Sequence, residues 1–283
     1  MLVVRIARSW RGPHFVKNDT NYRMYGRHSK GRFQMDASEM RHAIMASEGL
    51  IPRMERWRHD RIRIIQEART PVPLYEAPTI VMHALPLETT TDPFRLDAAT
   101  LNAAMRDDRI QTLGEWSSDR RINLEGVVSY SRAMGVQDIG GYTRYCQASR
   151  SGRIEWVWQN MQEPRREIRS SYEAAVVETL SLAFNTMKSL GIDAPWIVSL
   201  SLLGVSKCTL RIVLRGIFPD PKPIERDELL LPPVVFDAWP TDRHAVVRPM
   251  FDGVWNACGL ERSFNYDREG NWLGAAVDGL SGR

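Results

Sequence analysis

The two most apolar stretches of the chain, Pro195–Val205 and Leu229–Phe236, constrain its fold most. Each is about half the roughly 20 residues that a membrane helix requires, and each is interrupted by Ser, Pro or Gly. Runs of this length and punctuation read as buried strands, and a buried strand needs other layers to cover it. Thr79-Ile-Val-Met-His-Ala-Leu85 also reads as a strand, and Arg153-Ile-Glu-Trp-Val-Trp158 alternates as a half-buried one. A chain of 283 residues that is 43% hydrophobic and 25% charged has the means for a real core and is not disordered.

Helical periodicity supplies the covering layers. Asp36-Ala-Ser-Glu39 has the form of a capping box, with Met35 and Met40 at the hydrophobic-staple positions. It opens a helix that runs to Gly49, and Pro52 opens a second, Arg-rich one over Met54–Glu67 whose arginines, interspersed with Glu55, Asp60 and Glu67, read as a solvated face. Ser170-Ser-Tyr-Glu173 repeats the capping-box pattern ahead of Val177, Leu180, Phe184, Met187 and Leu190 on one helical face. Arg248–Cys258 reads as a last amphipathic helix, and Ser263 to Trp272 as a turn-rich close.

The fold class is therefore α/β in composition, of the α+β kind. The pattern predicts a small strand-strand-helix-helix-strand part over residues 1–86 beside a larger mixed α/β domain over 111–283. The polar, Pro-bearing stretch within 87–110 reads as a linker or surface loop.

Cys146, Cys208 and Cys258 lie far apart with no CxxC pair, which fits reduced core thiols and argues against a disulfide framework or a zinc site. Met1–Arg11 is only briefly apolar and has no small-residue cleavage pattern, so it does not read as a signal peptide. The expectation is a soluble, cytoplasmic protein without cofactor or membrane contact.

Charge is strongly polarised. Residues 1–70 hold 15 Lys+Arg against 7 Asp+Glu, a net of +8, whereas the rest of the chain is net −4. Arg5, Arg8, Trp10, Arg11, His14, Lys17, Arg23, Arg27, His28, Lys30 and Arg32 fall within 28 residues of strand and loop. Lys and Arg neutralise phosphates and release counterions, and Trp10, Tyr22 or Tyr25 would stack on an unpaired base. The segment Gly26-Arg-His-Ser-Lys-Gly-Arg32 reads as a Gly-bounded loop whose amides add phosphate contacts.

A second constellation is Asp252, Trp255, Asn256, Asn265, Asp267 and Trp272. Helical spacing sets Asp252, Trp255 and Asn256 side by side. Two readings stand: a ligand site, or a helix docked by its Trp and pinned to a turn by side-chain hydrogen bonds. His83 reads as a packed strand histidine. The chain contains no GxxxxGK[ST], GxGxxG, HExxH or GxSxG, and no complete catalytic constellation emerges.

The run Val3-Val-Arg-Ile-Ala-Arg-Ser-Trp-Arg-Gly-Pro-His14, then Tyr22-Arg23, Gly26–Lys30 and Gln34-Met-Asp-Ala-Ser-Glu39, resembles the closing part of the Schlafen/AlbA-type DNA-binding domain of bacterial proteins. Arg248-Pro-Met-Phe-Asp-Gly-Val-Trp-Asn-Ala-Cys-Gly259 and Ser263-Phe-Asn-Tyr-Asp267 resemble the region that follows it in such proteins. The resemblance implies nucleic-acid binding, to DNA or RNA. It also implies that the acidic residues of Schlafen-type RNA cleavage belong to a half of the domain preceding these strands, so metal-assisted cleavage is not expected of this chain. The strand Leu2–Ile6 would then be an unpaired edge suited to pairing with a second copy. The competing expectation is an interaction or structural protein in which residues 110–283 hold a protein partner.

Overall fold

A computed structural model describes residues 14–18, 20–28, 31–87, 95–107, 110–114, 117, 119–131, 141–159, 161–162, 166–212, 220–238 and 242–274. The chain divides into two compact units, Met1–Glu67 and Ala68–Arg283. Among the described residues five helices are interspersed among strands that pair mostly antiparallel, Glu167–Arg169 with Thr209–Arg211 being parallel, and the described chain is of the α+β kind.

The first unit holds β1 (Phe15–Asn18), β2 (Asn21–His28), β3 (Gly31–Gln34), α1 (Ala37–Glu48) and α2 (Leu50–Gln66). β1 runs antiparallel beside the first half of β2, and β3 beside its second half on the other edge. The Gly26–Arg32 segment, expected as a loop, is therefore mostly strand. Gly26 makes this workable, because the Phe33 ring lies across it and a Cβ there would sit 2.5 Å from the ring tip. The α1 capping box forms as its sequence predicts: Glu39 N–H donates to Asp36 Oδ1 at 2.8 Å and Asp36 N–H to Glu39 Oε2 at 2.9 Å. α2 begins earlier than Met54, with Gly49 at its N-cap. That places Pro52 in the first turn, where a missing N–H costs nothing. Of its arginines, Arg53, Arg56 and Arg63 are exposed, while Arg58 is buried beside Met54 and Ile62 and paired with Glu55 at 3.5 Å.

The second unit is built on an antiparallel sheet in the order β13 (Glu228–Leu230), β11 (Trp196–Leu203), β4 (Thr79–Pro86), β8 (Ile154–Trp158), β7 (Arg144–Ser149), β6 (Gly126–Ser131) and β5 (Asp119–Ile122), with β14 (Val234–Phe236) sharing the outer edge of β11. In chain order α3 (Ala98–Asp107) follows β4, and β9 (Met161–Gln162), β10 (Glu167–Arg169) and α4 (Tyr172–Ser189) follow β8. β12 (Thr209–Arg211) follows β11, and α5 (Arg243–Ala257) follows β14. β9, β10 and β12 form a separate small sheet.

Further boundaries differ from the sequence reading. β4, assigned there to the first part, sits at the centre of the large sheet between β11 and β8, so the unit boundary falls before it. The stretch read as a linker holds α3, capped by Asp97, which accepts from Thr100 N–H at 2.8 Å. The Leu229–Phe236 run splits into β13 and β14 around Pro232-Pro233, since proline cannot donate to a ladder.

One sheet face, with Ile80, Met82, Trp156, Val198 and Leu200, packs with α3, α4 and α5 into a single core. α5 starts at Arg243, five residues before the sequence reading, because Asp242 accepts from Ala245 N–H at 3.0 Å and provides the cap. All three cysteines are free and buried. Among the described residues no helix is long and apolar enough to cross a membrane.

Candidate functional site

Strand pairing sorts the first unit's side chains onto two faces. Residues directly opposite share a face, and successive residues alternate. Arg23 lies opposite Val16, Tyr25 opposite Gln34, and Arg27 opposite Arg32, so all six occupy one face. Phe15, Lys17, Tyr22, Met24, Gly26 and Phe33 occupy the other.

The first of these faces is basic. Arg23, Arg27 and Arg32 are exposed, and β1, β2 and β3 contain no Asp or Glu. Among the described residues no carboxylate pairs with any of the three. The Arg32 guanidinium lies 4.9 Å from the centroid of the Tyr25 ring, within cation–π range. Met35 N–H donates to Met24 O at 2.9 Å, which makes 24:35 a hydrogen-bonded pair. By alternation 25:34 and 27:32 are the closer, non-hydrogen-bonded pairs, with Cβ atoms roughly 4.5–5.5 Å apart. Two arginines thus occupy directly opposite positions on the ladder.

Of the residues expected at this surface, Arg23, Arg27 and Arg32 come together with Tyr25. Lys17 belongs to the opposite face beside Tyr22, His28 pairs with Gly31, and exposed His14 precedes β1. Arg5, Arg8, Trp10, Arg11 and Lys30 lie outside the described residues, as does the strand Leu2–Ile6.

The second constellation centres on a residue that sequence reasoning assigned elsewhere. Glu173 is not a capping glutamate: the N-cap Ser171 makes no side-chain cap bond, and Glu173 is fully buried. Its Oε1 accepts from Trp255 Nε1 at 2.6 Å and from Ser263 Oγ at 3.0 Å. Its Oε2 accepts from Ser263 Oγ at 2.8 Å and Asn265 Nδ2 at 2.9 Å. Burial pushes its pKa up from 4.5 to about 7, although the bonds from Asn265, Ser263 and Trp255 favour the charged form.

Asp252 accepts from Ser263 N–H at 2.7 Å and pairs with Arg248 at 3.3 Å. Asn256 and Asp267 stand apart: exposed Asn256 donates to Leu260 O and Glu261 O, and Asp267 accepts from Asn271 N–H at 2.7 Å. Trp272 packs on His244 and Tyr266. The geometry is that of a helix docked by its tryptophan and pinned to a turn around a fully buried carboxylate.

A third polar group lies in the large sheet. His83 Nε2 is 3.0 Å from Glu155 Oε2, and Tyr145 donates its hydroxyl to Glu155 Oε1 at 2.8 Å. β8 was expected to be half-buried, but both of its faces are covered and Glu155 is 2% exposed. A line of His, Glu and Tyr can relay protons only where substrate reaches it; here it satisfies a buried carboxylate across three adjacent strands. Among the described residues no group of His, Cys, Asp and Glu is arranged to hold a metal ion. No family model, curated protein or solved structure matches the chain.

Proposed function

We propose that the protein binds nucleic acid through the arginine face of its first unit and does so without catalysis. The observation that carries this reading is the Arg27–Arg32 pair. Like charges directly opposite on a ladder destabilise it, and no carboxylate among the described residues relieves them. A phosphate placed between the guanidiniums converts that repulsion into two charge-assisted contacts. Arg23, two positions along from Tyr25 on the same face, extends the track, and the net charge of +8 on residues 1–70 adds long-range attraction. The Schlafen/AlbA resemblance of residues 3–40 leads to the same reading.

The test is fluorescence anisotropy of the full chain with a labelled 20-nucleotide probe at several salt concentrations. Affinity should fall steeply between 50 and 200 mM salt, with a slope that becomes shallower by about 2–3 in the Arg23→Ala/Arg27→Ala/Arg32→Ala variant. Equal affinity and equal slope in that variant would overturn the proposal.

A further inference from the structure

The Tyr25–Arg32 contact narrows the class of nucleic acid. We infer, resting on the reading above, that the ligand is single-stranded, with an unpaired base layered on the Tyr25–Arg32 stack and flanking phosphates held by Arg23 and Arg27. Tyr25 sits near the middle of β2, the strand common to both pairings, and its ring is half-buried in the face with the guanidinium over it. Aromatic rings and guanidinium planes both accept a nucleobase, and the affinity so gained is indifferent to base identity.

A duplex hides its base faces by pairing and stacking. It would meet this surface through phosphates alone and leave the aromatic group without a function. An unpaired strand uses both features at once. Arg23, Tyr25 and Arg27 recur every second residue of β2, so cation, ring and cation alternate along one line about 14 Å long. That is the order in which an extended strand presents phosphate, base and phosphate.

The opposite face offers the natural control. Tyr22 is 64% exposed and lies opposite Lys17, with Phe15 nearby, so it too combines ring and cation, but with one charge instead of three. If exposure of an aromatic were enough, Tyr22 would matter as much as Tyr25.

The experiment compares labelled oligo-dT and oligo-U 20-mers with a 20-base-pair duplex on the full chain in 100 mM salt, by anisotropy. Single strands should bind at least 10-fold tighter than the duplex. Tyr25→Ala should weaken single-strand binding roughly 5- to 100-fold. Tyr25→Phe, which keeps the ring, should hold it within about twofold, and Tyr22→Ala should leave it unchanged.

A second measurement does not depend on any variant folding. Irradiation with a bromouracil-substituted strand should yield a cross-linked peptide containing Tyr25. Duplex binding as tight as or tighter than single-strand binding would overturn this inference while leaving the phosphate-binding surface intact. So would a cross-link confined to Tyr22 or to the second unit, or a silent Tyr25→Ala. No binding of any probe would remove the surface itself. Preference for oligo-U over oligo-dT, or the reverse, assigns the strand to RNA or DNA.

Discussion

Trp255 donates its indole N–H to Oε1 of Glu173 at 2.6 Å, joining residues 82 positions apart in sequence. The same carboxylate accepts from Ser263 and Asn265, and Asn265 also donates to Ser170 O at 3.2 Å. One side chain in the first turn of α4 thus gathers α5 and the turn after it. Three donors, the Ser263 hydroxyl shared between the two oxygens, satisfy the carboxylate, and this is what makes its burial tolerable.

Removing that acceptor should be costly. Glu173→Ala leaves the Trp255, Ser263 and Asn265 donors without their partner inside the core and opens a cavity, a combination that costs about 3–5 kcal/mol. Trp255→Phe keeps much of the packing and loses one donor, so about 1–3 kcal/mol is expected. Urea denaturation midpoints measure both, and a Glu173→Ala change below 1 kcal/mol would show that the cluster is not a structural keystone.

The same residue sets a pH dependence with a definite sign. The folded-state pKa of about 7 lies above the ordinary value of 4.5, so the folded protein holds a proton that the unfolded chain has already released between these values. Stability from this group is complete below about pH 4.5, declines as pH rises toward 7, and is flat beyond. At about 1.4 kcal/mol per pH unit the decline amounts to about 3 kcal/mol. Glu173→Gln removes the titration. The difference in unfolding free energy between wild type and Glu173→Gln should therefore change by that amount between pH 4.5 and 8, in favour of wild type at the lower pH. A difference independent of pH would show that Glu173 does not change its proton affinity on folding.

Gly26 is legible as special only once the hairpin is seen. The Phe33 ring crosses the strand where a side chain would stand, with Phe33 Cζ 2.5 Å from the position of a Cβ. Gly26→Ala should displace the ring and loosen β2 and β3, raising amide hydrogen exchange in Tyr25–Gln34. Adding Phe33→Leu should restore protection, because the shorter side chain clears the new methyl. Loss that Phe33→Leu does not recover would place the strain elsewhere.

How much of this was readable beforehand follows from the range of each signal. The Asp36 box was legible because all its chemistry lies within four residues, and the core strands because their apolar runs are continuous. Ser170-Ser-Tyr-Glu173 has the same local form, yet Glu173 turns inward because Trp255, Ser263 and Asn265 wait for it from the other end of the chain. Nothing local distinguishes the two. The burial of Glu155 is hidden for the same reason: alternation marks a strand, but only the neighbouring strands bring His83 and Tyr145 to its carboxylate. The basic surface was visible as composition. Its sorting into an arginine face and an aromatic face required the register of β2 with β1 and β3.

That register also yields the sharpest trade-off. Arg27 and Arg32 stand opposite each other on the ladder, where like charges are unfavourable, and Arg27→Glu puts opposite charges at the same two positions. The hairpin should gain roughly 0.2–1 kcal/mol, read as slower amide exchange in β2 and β3, and the gain should shrink in high salt as the charges are screened. Binding should move the other way, because the new carboxylate occupies the place proposed for a phosphate and adds a negative charge to the track. Stability and affinity thus change in opposite directions in one variant, as expected where a fold tolerates local repulsion for the sake of a ligand. An Arg27→Glu protein that is no more protected and binds as tightly as wild type would show that this pair neither strains the hairpin nor meets an anion.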